Sequence, residues 1–164
     1  DERTRTLYLW PNGTDDGRPP ANALAAPQLK TLVRIRGGTG GGEVADVAFK
    51  GIGFRDAAAT FMAPEWSAPS GGDWSLYRGG AVEVTDATNV TFDSCVFRRL
   101  DGNGVFLHGR SRGVRLVRNT FEWLGENAVA TWGDSDKWDA TAGAQPRGVL
   151  MAQNLVHDVR TRSS

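Results

Sequence analysis

Acidic side chains concentrate in the stretch WGDSDKWD, which places Asp134, Asp136 and Asp139 around Lys137. One of these carboxylates could act as acid or base in glycosidic cleavage, which needs two carboxyl groups about 5–5.5 Å apart for retention or about 6.5–9.5 Å for inversion. Closely spaced carboxylates could also bind Ca²⁺, although the terminal glutamate of a calcium loop is missing. A lyase could use Lys137 or Arg78 as the base that takes a proton beside a metal-bound uronate. The same run could equally be a solvated loop.

Other candidates lie beside predicted turns. Asp101 belongs to the turn LDGNGV, which precedes a strand carrying His108, and Glu126 lies at the same rim one repeat later. A histidine titrates near neutral pH, so His108 could serve as a general acid or base. Asp-Gly is also an ordinary turn dipeptide, so Asp101 has a structural explanation as well.

An internal repeat positions these residues. Residues 90–107 (VTFDSCVFRRLDGNGVFL) align with residues 114–131 (VRLVRNTFEWLGENAVAT) at a period of 24 residues. A looser copy begins at Val47, 43 residues before Val90, and a third copy begins at Val149, 35 residues after Val114. Both spacings exceed the period and require insertions, around EWSAPSGGDWSLYRGG in the first case and GDSDKWDATAGAQP in the second. Short strands in a repeat of this length are typical of a β-solenoid, whose insertions lie in turns.

Each copy is predicted to contain three strands, at residues 90–92, 96–100 and 104–107 in the best-defined copy. Alternation of side chains along a strand then predicts which positions form the core. The predicted inward residues are Val90, Phe92, Phe97, Leu100, Val105 and Leu107.

Aligned third strands predict two outward columns on one face. The columns are Glu83, Phe106, Ala130 and Thr85, His108, Trp132. A tryptophan beside a histidine suits sugar binding, because the ring offers an apolar platform while polar neighbours take hydroxyl groups. Alternatively, Trp132 packs under the loop that follows it.

Two further columns are interpreted as structural. Cys95, Asn119 and Asn154 share one turn position, where stacked asparagines could bond along the stack and Cys95 would be a small buried filler. The other column, in which alternating charge predicts cross-strand support, contains Arg98, Glu122 and His157.

The pattern V-x-F-x-x-N-x-F-x-x-L-x-x-N resembles the right-handed parallel β-helix proteins of the pectate-lyase-like superfold, over about residues 44–160. The opening segments RTLYLWPNGT and LKTLVRIRGG resemble the stretch before the first coils of bacterial β-helix glycoside hydrolases, over about residues 4–38. The resemblance implies an all-β fold, a single-stranded right-handed parallel β-helix with about 24 residues per coil. Residues 1–43 would supply N-terminal strands and a connection, and residues 44–164 the coils. It also implies a substrate groove along one sheet, bordered by the longer turns.

The amino-acid composition limits the kinds of partner that this protein is expected to bind. Lysine plus arginine and aspartate plus glutamate number 19 each, so no overall field attracts nucleic acid. The apolar runs fall far short of the roughly 20 residues that span a bilayer, so no membrane insertion is expected. No export signal is recognisable, and an extracellular or periplasmic location is inferred from function alone. A bare terminal coil would expose apolar surface, so we expect this sequence to be a fragment whose remaining coils cover it.

We therefore expect a carbohydrate-active protein acting on a polysaccharide or other glycan, foremost a glycoside hydrolase. A polysaccharide lyase and a non-catalytic glycan-binding or structural β-helix are the alternatives, since fold does not decide function. No metal or cofactor is expected, with Ca²⁺ as the exception to consider. The expected catalytic residues are Asp101, Asp134, Asp136, Glu83 and His108, and the expected substrate-binding residues are Trp132, Arg78, Phe106, Glu126 and Lys137.

Overall fold

The computed structural model describes residues 3–4, 6, 25–38, 42, 44–61, 63, 66–67, 76–136 and 139–159. All named secondary-structure elements in these ranges are β-strands. No helix of the described residues is long and apolar enough to cross a membrane. The strands in chain order are β1 (Val33–Arg36), β2 (Val44–Ala45), β3 (Ala48–Lys50), β4 (Gly53–Arg55), β5 (Trp66–Ser67), β6 (Leu76–Tyr77), β7 (Val82–Thr85), β8 (Ala87–Thr88), β9 (Thr91–Asp93), β10 (Val96–Leu100), β11 (Val105–His108), β12 (Arg115–Val117), β13 (Thr120–Leu124), β14 (Val129–Trp132), β15 (Asp134–Asp136), β16 (Asp139–Ala144), β17 (Leu150–Ala152) and β18 (Leu155–Val159).

Three parallel sheets of four strands make up most of the described chain. The first sheet has the order β1-β7-β11-β14, the second β4-β10-β13-β18 and the third β3-β9-β12-β17. From β9 to β14 the chain visits the third, second and first sheets in turn, and then repeats that cycle. The fold is therefore all-β with parallel sheets, an arrangement compatible with a β-helix.

The predicted register of the repeat is confirmed. Phe97 pairs with Phe121, and Val105 pairs with Val129, each 24 residues further along the chain. The predicted strand at 96–100 is observed as such, whereas the strands predicted at 90–92 and 104–107 begin and end one residue later. The copies at Val47 and Val149 also contribute strands to the second and third sheets.

The core consists of columns of identical or similar side chains that lie between the sheets. Phe97 stacks on Phe54 and Phe121 with ring centroids 4.9 and 4.6 Å apart, and Phe92 stacks on Phe49 at 5.2 Å. All six residues predicted to point inward are buried. Removal of this apolar surface from water is the main force that holds the sheets together.

A left-handed residue in the second sheet explains a feature that strand alternation does not allow. Phe97 and Leu100 are three residues apart, yet both are buried. Between them Arg99 has a φ of 51°, and the pairing passes from Arg98 to Leu100 without it. The same conformation recurs at Trp123, with a φ of 53°. This local reversal turns the following side chain back into the core, which offsets the cost of a positive φ for a residue with a side chain.

The predicted asparagine column forms a directional ladder. The Cys95 amide donates to Asn119 Oδ1 at 2.8 Å, and the Asn119 amide donates to Asn154 Oδ1 at 2.8 Å. Asn119 Nδ2 in turn donates to the Phe92 carbonyl at 3.0 Å. These bonds satisfy backbone groups at a buried bend, where an unpaired donor or acceptor is costly. Cys95 is buried and its position in the column is confirmed.

Both predicted insertions contain antiparallel pairs outside the three sheets. Strands β15 and β16 form a hairpin after the first-sheet strand β14, and β5 pairs with β6. Residues 68–75 of the earlier insertion lie outside the described residues. In the N-terminal segment, β1 forms the edge of the first sheet, whereas RTLYLWPNGT lies almost wholly outside the described residues.

Candidate functional site

The outer face of the first sheet brings the predicted columns together in the expected register. Glu83 pairs with Phe106, which pairs with Ala130, while Thr85, His108 and Trp132 follow one another in the neighbouring column. Strand β1 extends both columns by one residue, with Arg34 beside Glu83 and Arg36 beside Thr85. Adjacent strands lie about 4.8 Å apart, so a ligand lying across this face would meet one side chain per strand.

Trp132 and Arg78 contact each other at one end of this face. The Arg78 guanidinium carbon lies 4.4 Å from the centroid of the Trp132 ring, which is cation–π geometry. Trp132 is half-buried and Arg78 is exposed. Two of the five residues expected to bind substrate therefore form one composite surface, in which the guanidinium of Arg78 packs on the indole ring of Trp132.

His108 and Asp134 form the second contact of the same region. His108 Nε2 lies 3.4 Å from Asp134 Oδ1, with 27% and 62% of the two side chains exposed. On its sheet the imidazole is backed by Phe106, whose ring is nearly parallel to it at 5.9 Å. Phe106 itself is buried, so it lies beside the imidazole on the same strand and offers little surface to a ligand. We call Arg78, His108, Trp132 and Asp134 the Trp132 cluster.

Glu83 is engaged by neighbours on its own face. Its carboxylate accepts hydrogen bonds from Arg34 Nε at 2.7 Å and from Thr31 Oγ1 at 3.0 Å. The bond and charge of Glu83 raise the pKa of Arg34 above its ordinary value. This contact ties the edge strand β1 to β7, and it occupies a carboxylate that the sequence assigned to catalysis.

Asp101 accepts hydrogen bonds from residues 60 and 61, which lie beside its turn. Its Oδ2 accepts the amide and hydroxyl of Thr60, the latter at 2.9 Å, and also the Phe61 amide at 3.0 Å. Thr60 is buried and Asp101 half-buried. Three donors on one oxygen hold the 60–61 backbone against the stack, which is a structural task for a residue predicted to face a groove.

Glu126 is buried at the rim of the following repeat. Its Oε1 accepts the Tyr77 amide at 3.4 Å, and Tyr77 is buried as well. Nearby, Asn103 Nδ2 donates to the Tyr77 carbonyl at 2.9 Å, and Asn127 Nδ2 donates to Asn103 Oδ1 at 2.9 Å. Glu126 thus belongs to a packed polar layer, with little surface available to a ligand.

The hairpin after β14 carries the remaining acidic candidates. The backbone of Asp136 pairs with that of Asp139, whereas the side chain of Asp136 and all of Lys137 lie outside the described part. Asp139 accepts bonds from the hydroxyl and amide of Thr141, which lower its pKa. Among the described residues no three His, Cys, Asp or Glu side chains are grouped to hold a metal ion.

The second sheet carries a comparable aromatic contact on a different face. The Arg98 guanidinium carbon lies 4.4 Å from the centroid of the Trp123 ring, which is exposed. In the column beside it, Glu122 lies 3.1 Å from Arg98 and 3.4 Å from His157. The column therefore contains a cross-strand ion pair between Arg98 and Glu122, and the His157 imidazole lies within reach of the same carboxylate.

The sequence alone did not identify the residues that donate hydrogen bonds to the candidate carboxylates Glu83 and Asp101. Arg34 and Arg36 alternate with apolar Val33 and Ile35, so the two-residue period of a strand was visible. The register of β1 on β7 was not visible, because 49 residues separate Arg34 from Glu83 and no repeat relates them. No local signal pairs Thr60 with Asp101 either.

This chain matches no protein-family model, no curated protein and no solved structure. Its function is therefore inferred from the site alone. The Trp132 cluster consists of two side-chain contacts, Arg78 with Trp132 and His108 with Asp134, on adjacent strands in which His108 pairs with Trp132. Such a set can pack against a flat, partly apolar molecule and can both donate and accept hydrogen bonds.

Proposed function

We propose that this protein is a right-handed parallel β-helix that binds a carbohydrate on the outer face of its first sheet, at the Trp132 cluster. One observation carries the proposal: Trp132 lies beside Arg78 and His108 on a rigid sheet, with Asp134 within reach of the imidazole. A sugar presents apolar C–H surface and a rim of hydroxyl groups. The ring suits the first, and the guanidinium, imidazole and carboxylate suit the second.

Rigidity of the supporting sheet favours this face as a binding surface. The backbone of β14 is paired with β11, whose inward residues Val105 and Leu107 are buried. The cluster therefore loses little conformational freedom on binding, apart from the Arg78 side chain. A long glycan could continue along the column towards Thr85 and Arg36, one residue per strand.

Binding is tested with a panel of polysaccharides and oligosaccharides, with Trp132→Ala against Trp123→Ala as the matched pair. Both substitutions remove an indole that carries an arginine at 4.4 Å, but only the first lies on the proposed face. We expect Trp132→Ala to weaken binding by about fivefold to thirtyfold, which corresponds to loss of about 1–2 kcal/mol of ring contact. Equal weakening by both variants, or no glycan bound by the natural protein, would overturn the proposal.

Glycoside hydrolysis at the same face is the second candidate, and the contact between His108 and Asp134 favours it. Asp134 is exposed while its oxygen lies 3.4 Å from a group that can exchange protons. Because Glu83, Asp101 and Glu126 are engaged elsewhere, the partner carboxylate would be Asp136. The hydrolase would then use the pair supplied by the hairpin.

Hydrolysis is measured as new reducing ends released from the glycan that binds. Asp134→Asn and Asp136→Asn should each abolish release while leaving binding within a few-fold, since hydrolysis needs both carboxyl groups. Glu83→Gln is the control, and it should retain most of the activity because its carboxylate is bound to Arg34. Full activity in Asp134→Asn would exclude this candidate without touching the binding proposal.

A further inference from the structure

Asn103 is a buried residue whose hydrogen bonds reach the segment that carries Arg78. Only 1% of Asn103 is exposed. Its Nδ2 donates to the Tyr77 carbonyl and to the Gly79 carbonyl, both at 2.9 Å. A carboxamide nitrogen carries two hydrogens, so both are used, one on each side of Arg78. The backbone that flanks Arg78 is therefore held by a single side chain.

The orientation of that carboxamide is fixed by the following repeat. Asn127 Nδ2 donates to Asn103 Oδ1 at 2.9 Å, so the oxygen of Asn103 faces Asn127 and its nitrogen faces residues 77–79. The two asparagines occupy the same position in consecutive copies. In the preceding coil the register between β7 and β11 puts Gly80 at this position. Because Gly80 has no side chain, the Asn103 carboxamide meets backbone carbonyls there.

Tyr77 is held at its amide as well as at its carbonyl. Glu126 Oε1 accepts the Tyr77 amide at 3.4 Å, and Tyr77 is buried. The Tyr77 ring packs against two glycines, since a Cβ on Gly79 or on Gly102 would lie 2.8 Å from one of its ring atoms. The residue before Arg78 is therefore fixed against the stack, whereas Arg78 itself is exposed.

The contact between Arg78 and Trp132 depends on where this segment lies. Asn103 comes just before β11, at the beginning of the strands of the first sheet, whereas Trp132 is the last residue of β14. A strand rises about 3.3 Å per residue, so about 10 Å separates the first and last residues of β14. The Arg78 side chain extends along the face to bring its guanidinium carbon to 4.4 Å from the indole centroid. Displacement of the backbone at residue 78 would take the guanidinium off the ring.

We propose that Asn103 is a positioning residue of the Trp132 cluster: it holds the carbonyls of Tyr77 and Gly79, places Arg78 on the Trp132 ring and so sets the affinity of this face. Asn127 acts one step further back, because it orients the Asn103 carboxamide. Asn103 is buried and acts through Arg78 rather than by contact with a bound molecule. The effect on affinity rests on the proposed glycan binding, whereas the placement of Arg78 is measured without a glycan.

NMR of the Arg78 side chain tests its placement. Protons above an indole are shifted by its ring current, and Trp132→Ala identifies the part of the Arg78 shift that comes from this ring. We expect Asn103→Ala to remove most of that part. The matched control is Asn119→Ala, because Asn119 is also 1% exposed but bonds backbone groups at the bend between the third and second sheets. It should lower stability and leave the Arg78 shift unchanged.

Three results would overturn the proposal. The Arg78 shift could survive Asn103→Ala, it could be lost equally in Asn119→Ala, or it could be insensitive to Trp132→Ala in the first place. Asn127→Ala provides a second variant if Asn103→Ala does not fold, since Asn127 is only half-buried. It should reduce the same shift in part, and an unchanged shift would also count against the positioning role.

Affinity is measured with the oligosaccharide of the panel that the natural protein binds most tightly. Arg78→Ala should weaken binding by about fivefold, the size of one net hydrogen bond. Asn103→Ala should weaken it by a similar factor, and the double variant no more than Arg78→Ala alone, because both changes remove the same contact. Additive losses would mean that Asn103 acts by another route and would refute the positioning role. If the natural protein binds no glycan while the Arg78 shift behaves as expected, the proposed function fails and the placement of Arg78 by Asn103 stands.

Discussion

Replacement of Asn119 by alanine probes the feature that most directly links the repeated sequence to the stacked structure. Asn119 is fully buried, and its side chain joins three layers of the chain. Oδ1 accepts the Cys95 amide at 2.8 Å, while Nδ2 donates to the Phe92 carbonyl and to Asn154 Oδ1, both at 3.0 Å. Asn119→Ala removes all three bonds and leaves the buried Cys95 amide without its acceptor.

The expected loss follows from that amide. A buried donor left without its bond costs about 1–3 kcal/mol, so loss of the acceptor for the Cys95 amide implies a destabilisation of about 1–3 kcal/mol. Folded domains are stable by only about 5–15 kcal/mol, so this is a large fraction of the total. Asn154→Ala should cost less, because Asn154 is only half-buried and water can reach its neighbours.

Urea unfolding followed by circular dichroism measures both variants, with the change in free energy taken at constant slope. Cys95→Ala is the control, since its thiol makes only weak contacts of 3.5 Å to the Phe49 and Asp93 carbonyls. The expected order of destabilisation is Asn119→Ala, then Asn154→Ala, then Cys95→Ala. If Asn119→Ala lies within about 0.5 kcal/mol of the natural protein, the ladder does not stabilise the fold and the argument fails.

Two further predictions follow from side-chain contacts. The Arg99 guanidinium, bonded to Asp56 at 2.6 and 3.1 Å, lowers the pKa of that carboxyl below its ordinary value. A lowered folded-state pKa gives stability that is present above the ordinary carboxyl pKa and is lost as pH falls through the folded value. Arg99→Ala should therefore raise the pKa of Asp56 in an NMR titration and remove its share of acid sensitivity, and an unchanged pKa would contradict the assignment. Asp101→Ala should lower the free energy of unfolding by about 1–3 kcal/mol, because the amides of Thr60 and Phe61 lose their acceptor. Asp101→Asn, which keeps an oxygen, should cost less, and equal costs in urea unfolding would argue against this role.

The repeat could be recognised in the sequence because successive copies place similar side chains at the same core positions. A 24-residue period with fixed apolar positions leaves one register in which the phenylalanines stack and the asparagines meet. The columns through Phe97, His108 and Asn119 could therefore be written down in advance. The sequence could not show that Arg99 adopts a left-handed conformation, since arginine has no intrinsic preference for it.

The candidate site was only partly predictable. That His108 and Trp132 share a column follows from the period, and their contacts with Asp134 and Arg78 lie on the same face. The other acidic candidates are hydrogen-bonded to residues that the repeat does not place beside them. Glu83 is bound by Arg34 across 49 residues, and Asp101 by Thr60 across 41.

The repeat, the inward and outward columns and the ladder of asparagines can be read along the chain, because they depend on local alternation and a constant period. Which polar side chains are held by neighbours, and which remain exposed on the first sheet, is visible only in three dimensions. The physical reason is that insertions between repeats break the period, so the elements they bring together meet only in space. The hairpin brings Asp134 to His108 and the long insertion brings Arg78 to Trp132, both on the first sheet.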